Sequence, residues 1–100
     1  MTTTTEDAWD RAKSQFPQGT IIEGYVTKAL DTLVCISIPG TEFVGVVVIT
    51  SLSDKPPPLS SSDFPAVGDS VRAVVIGHRD IGYQIALSLR ESDFTRLAGT

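Results

Sequence analysis

The 100-residue sequence has one cysteine (Cys35), one histidine (His78) and one tryptophan (Trp9). A single cysteine excludes an internal disulfide and a cysteine-based zinc site. The lone histidine has no cysteine, histidine or carboxylate at ligand spacing, so no metal site is expected and His78 reads as a surface or turn residue. No apolar run approaches the roughly 20 residues of a membrane helix. No basic segment followed by an apolar stretch marks a secretory signal. Positive charge is scarce: 8 Lys and Arg stand against 12 Asp and Glu, for a net charge of −4. This balance disfavours binding by bulk phosphate neutralisation but leaves room for a local basic patch. There is no phosphate-binding Gly-rich loop, no nucleophile elbow and no framed pair of carboxylates. The chain is therefore read as a non-enzyme with no cofactor, no small-molecule substrate and no membrane contact. The expectation is a reduced, cytoplasmic monomer, complete from Met1.

What is abundant is β-branching. Val, Ile and Thr supply 29 of the residues, and such side chains favour pleated surfaces over helices. An all-β domain follows. The exception is the N-terminal stretch. After a polar tail (1–5), Trp9, Ala12 and Phe16 recur at helical spacing, with Thr4 and Asp7 placed as a capping box. Pro17 and Gly19 end this helix, which the sequence places at 6–18, docked on the rest.

From Thr20 the period becomes two. Ile22, Gly24 and Val26 share one phase and Tyr25 the other, with Gly24 read as a bend or bulge. A second strand, about 33–38, buries Val34, Ile36 and Ile38 and turns Leu33, Cys35 and Ser37 outward. A third, about 42–49, is apolar on both faces through Val46, Val47 and Val48. A Pro- and Ser-rich loop (51–66) contains Lys55-Pro-Pro-Pro-Leu59, read as a stiff connection. A fourth strand (71–76), a polar turn (78–82) and a fifth strand (84–89) complete the domain, drawn at 19–92. A final helical turn is read at 92–97, and a C-terminal tail is drawn from 93.

A helix, three strands, a long connection and a two-strand hairpin suit a five-stranded OB-fold barrel preceded by a short α-helix. The residues also resemble a family. Gly24-Tyr25-Val26, GVVVITSLS at 45–53, VGDSVRAVVIG at 67–77 and QIALSLR at 84–90 resemble the motifs of the S-one RNA-binding domain. That family is named for a ribosomal small-subunit protein built from its repeats. The resemblance covers about residues 9–90.

It implies an RNA-binding surface on the outer faces of the second and third strands, made of two aromatics, a histidine, an aspartate and an arginine. Here the aromatic segment aligns with Thr32–Cys35, the histidine with Val48, the aspartate with Arg79 and the arginine with Gln84. The strand signature is kept and the binding signature is replaced. Stacking on aromatic rings is worth about 1–3 kcal/mol per base, so new groups must compensate. The candidates are Tyr25 and Tyr83 for stacking, Lys28, Arg72 and Arg79 for phosphate, and Val48 and Gln84 at the substituted positions. Single-stranded RNA is the expected partner, with a ribosomal or transcription-linked protein as a further one. The alternative is a protein-interaction module in which Leu33, Cys35, Val46 and Val48 form an apolar patch for a basic partner. A third arrangement lays the N-terminal helix over those strands and leaves no patch.

Overall fold

The structure is a computed structural model that describes residues 4–54 and 64–97. The Lys55–Leu59 motif lies outside them. Helix α1 (Thr5–Gln15) opens where the sequence places a cap: Thr4 Oγ1 accepts the N–H of Asp7 at 3.1 Å. Glu6 and Asp7 occupy the first turn and Lys13 the last, as the helix dipole favours. The helix thus begins one residue before the expected boundary.

Five strands follow: β1 (Ile21–Ala29), β2 (Leu33–Ser37), β3 (Val44–Val48), β4 (Ser70–Arg79) and β5 (Gln84–Ser88). They close into a barrel in the order β1-β2-β3-β5-β4. Every pairing is antiparallel except β3 with β5. This is the expected OB-fold architecture. Val26, Val34, Ile36, Val47, Ala73, Val75, Ile85 and Leu87 fill the interior, none more than 2% exposed. Their alternation along the strands is the period of two seen in the sequence.

Two glycines let the barrel close. A Cβ on Gly24 would lie 2.5 Å from the Ser37 carbonyl oxygen, and one on Gly45 would lie 2.5 Å from Leu87 Cδ1. Gly24 is therefore a close-approach site, not the expected bulge. It pairs regularly with Val71, and the irregularity in β1 falls between Val26 and Lys28. Strand β4 is longer than expected. His78 pairs with Ile85 and Arg79 with Gln84, so the turn narrows to Asp80–Tyr83.

Helix α1 plugs one end of the barrel. Trp9, Ala12 and Phe16 are buried and continue the interior cluster. The Trp9 ring meets Phe43 at 5.1 Å, Tyr83 at 5.7 Å and His78 at 6.0 Å between centroids. This corrects the arrangement in which α1 lies across the outer face of β2 and β3. Phe43 and Tyr83 bring apolar edges to the rim, and Asp80 supplies the acceptor that the indole N–H needs on burial.

The long connection starts as a 3-10 turn at Ile49–Ser51, and Leu52 enters the core. Helix α2 (Glu91–Leu97) forms where the sequence expects a helical turn, in the region drawn as a tail. Its Asp93 is buried, accepting from Ser88 Oγ at 2.7 Å and from Arg96 at 2.8 Å. A tail would leave Ser88, itself fully buried, without that partner.

Candidate nucleic-acid interface

The strand register gathers the sequence candidates more tightly than their spacing suggests. Paired residues in a sheet share a face. Tyr25 pairs with Ser37, Ser37 with Val44, Val44 with Gln84, and Gln84 with Arg79. These five residues form one row on the outside of the barrel, crossing β1, β2, β3, β5 and β4. At about 4.8 Å per strand step, the row is on the order of 19 Å long. A second row runs parallel to it: Lys28, Cys35, Val46, Ala86 and Gly77.

The two rows differ in character. The first carries an aromatic ring, a hydroxyl, an amide and a guanidinium. Tyr25 is 55% exposed, and Arg79 and Ser37 are exposed. The second is a floor of small side chains with Lys28 at one end. Val46 in this floor is 2% exposed although it lies outside the interior cluster. A Cβ added to Gly77 would meet nothing within 4 Å. Neither Lys28 nor Arg79 forms an ion pair among the described residues, so both charges face solvent uncommitted.

The remaining candidates fall elsewhere. Val48 shares the outer face of β3 but lies beyond Val46, opposite Leu33 and half-buried. Arg72 stands earlier on β4, paired with Glu23, its guanidinium 5.9 Å from the Phe94 ring of α2. It does not join the row. Tyr83 is half-buried with φ of 52°, its ring packed on Trp9 and tilted against Phe43 at 6.1 Å. It belongs to the barrel plug. The apolar patch of the alternative reading is largely closed, since Leu33, Cys35 and Val48 are half-buried around a sealed Val46.

Three residues escaped the sequence reading. Ser37 and Val44 complete the row, and their signal was the strand alternation itself, legible only once the pairing partners are known. Asp80 is the third. Its carboxylate accepts Trp9 Nε1–H at 2.7 Å and lies 3.2 Å from Lys13 Nζ. The indole hydrogen bond first, then Lys13, holds this carboxyl below the ordinary aspartate range. The neighbouring His78 donates from Nε2 to the Phe16 carbonyl at 2.7 Å, binding the end of α1 to β4.

Two open clefts flank α1. One, of about 290 Å³, is lined by Glu6, Trp9, Asp10, Lys13, Asp80 and Tyr83. The other, of about 190 Å³, includes Arg11, Gln15, Glu42 and Phe43. Neither reaches the row. Among the described residues no group of three His, Cys, Asp or Glu side chains is placed to hold a metal ion, and no helix is long and apolar enough to cross a membrane.

No family model matches the sequence, and no curated protein matches it. Solved structures do. The alpha subunit of aIF2 from Pyrococcus abyssi superposes with a TM-score of 0.64 at 19% identity, over 74% of this chain and 28% of that one. GSP13 from Bacillus subtilis gives 0.64 at 23% identity, over 77% of this chain and 58% of its own. The likeness is one of fold. A chain from the a/eIF2alpha-aDim2p-rRNA complex of Pyrococcus horikoshii OT3 gives 0.61 at 21% identity, over 73% of this chain and 44% of that one. The present chain thus spans less than two-thirds of each of these relatives.

Proposed function

We propose that this protein binds single-stranded RNA across the outer face of the barrel, on the Tyr25–Ser37–Val44–Gln84–Arg79 row. The observation that carries the reading is the register itself: it sets a stacking ring and a free guanidinium at opposite ends of one row, with Lys28 on the next. The chemistry is that of a sequence-tolerant single-strand site. A base stacks on Tyr25, Arg79 and Lys28 meet phosphates, and Ser37 and Gln84 offer hydrogen bonds to base edges or the ribose 2′-hydroxyl. The matched folds support it, since one belongs to a complex containing rRNA. The sealed apolar floor gives a protein partner little to bury, so the interaction-module reading is not favoured.

With one ring in place of two, affinity should be modest. Tyr25→Ala is expected to lose about 1–3 kcal/mol of binding while changing stability by less than about 0.5 kcal/mol. Two phosphate contacts should give a plot of log affinity against log salt with a slope near −1.4, at about −0.7 per contact. An NMR titration with a short mixed-sequence RNA checks both. Shifts confined to the two rows support the proposal. An absence of shifts even at low salt overturns it.

A further inference from the structure

Arg79 is followed directly by a carboxylate. Left alone, Asp80 would compete with phosphate for the Arg79 guanidinium and would repel an incoming anion. In this fold Asp80 is engaged elsewhere. Its Oδ1 takes the Trp9 indole N–H at 2.7 Å and lies 3.2 Å from Lys13 Nζ, both on α1. Lys13 also stands 3.6 Å from Asp10 and 5.8 Å from the centre of the Trp9 ring. Asp80 is drawn toward the barrel plug, and Arg79 has no ion pair among the described residues.

We propose that α1 is a working part of the binding face: Trp9 and Lys13 are positioning residues that hold and neutralise Asp80, leaving Arg79 available for phosphate. The inference rests on the nucleic-acid reading for its consequence, but not for its geometry. Trp9 fixes the direction of the carboxylate, because a buried indole N–H requires an acceptor and finds it there. Lys13 supplies the opposite charge. The same helix holds the adjacent strand through the His78 contact to the Phe16 carbonyl. The N-terminal helix therefore does more than close the barrel.

The test uses Lys13→Met, which keeps the aliphatic stem and removes the charge, alone and combined with Asp80→Asn or Asp10→Asn. The first readout needs no RNA. In Lys13→Met the Arg79 Nε–Hε resonance should shift as the Asp80 charge, no longer neutralised, acts on it, and in Lys13→Met with Asp80→Asn it should return. The second readout is affinity for a single-stranded RNA of about ten nucleotides, within the range of sites on one OB-fold. Lys13→Met should weaken binding about twofold to fivefold, the worth of one exposed ion pair. Adding Asp80→Asn should restore it, and adding Asp10→Asn should not. Equal rescue by Asp10→Asn would reduce the effect to net charge and overturn the proposal. Failure of Asp80→Asn to rescue would mean that Lys13 itself touches phosphate, and would overturn it too. Should the unsubstituted protein bind no RNA while the Arg79 resonance behaves as described, the RNA reading falls and the Asp80 clamp stands.

Discussion

The two helices dock on the same barrel by opposite physics. Helix α1 buries an apolar stripe, Trp9, Ala12 and Phe16, and adds polar contacts at its margin. Helix α2 has one buried residue, Asp93, and that residue is a carboxylate. It is satisfied by the Ser88 hydroxyl and the Arg96 guanidinium, with Arg90 3.9 Å away. Apolar docking scales with area and is indifferent to pH. Polar docking depends on ionisation and on every partner being present. One molecule thus carries a control for each mode.

The comparison breaks most visibly at Trp9. Trp9→Ala removes the centre of the plug and should cost about 3–5 kcal/mol in urea denaturation. The loss should be similar at neutral and mildly acidic pH, because no titrating group supplies most of it. A loss below about 1 kcal/mol would mean that the barrel closes without α1. Asp93→Asn should cost less, about 1–3 kcal/mol, and its pH dependence should differ in kind. Arg96 first, then Ser88, holds the Asp93 carboxyl below its ordinary range. A depressed carboxyl stabilises the fold fully above the ordinary aspartate value and loses that contribution as pH falls through the folded value. The unsubstituted protein and Asp93→Asn should therefore converge in acid, whereas the Trp9→Ala difference persists. Parallel curves for Asp93→Asn would show that its charge is not what holds α2.

The same contrast explains which parts were legible in the sequence. Apolar order is periodic and local. Thr4 and Asp7 marked the start of α1, Trp9, Ala12 and Phe16 its buried side, and alternation placed Val34, Ile36 and Ile38 inward. Polar anchoring leaves no period. Nothing near Asp93 indicates that Ser88 is buried beneath it, so the sequence shows the helical turn at 92–97 but not its docking. The candidate surface was half legible for a related reason. Tyr25, Lys28, Arg79 and Gln84 were singled out one by one, but their union in adjacent rows depends on the parallel pairing of β3 with β5 and on the irregularity after Val26. Long-range register of that kind is set by closure of the barrel. Tyr83 and Arg72 fall outside the rows by position: Tyr83 lies in the turn before β5, its ring on Trp9 of α1, and Arg72 stands earlier on β4, beside Phe94 of α2.

Asp54 sharpens the comparison at its smallest scale. Arg90 precedes α2 and has no side-chain acceptor for the free N–H groups of the first turn. Asp54 supplies one from the start of the long connection: its Oδ2 accepts the Ser92 N–H at 3.1 Å, and its Oδ1 accepts Arg90 Nε–H at 3.1 Å and the Ser92 hydroxyl. The Ser92 hydroxyl first, then the Ser92 N–H, then Arg90, hold this carboxyl below its ordinary range. Its contribution therefore has the same sign as that of Asp93, present above the ordinary aspartate range and lost in acid. Asp54 differs in being open to solvent, where water and salt compete for its partners. Asp54→Asn should lower the melting temperature by less than Asp93→Asn. It should speed amide exchange across Ser92–Leu97 and leave exchange in α1 unchanged. If exchange in α2 does not respond, Asp93 alone anchors the helix, and the link from the connection to α2 is incidental to its stability.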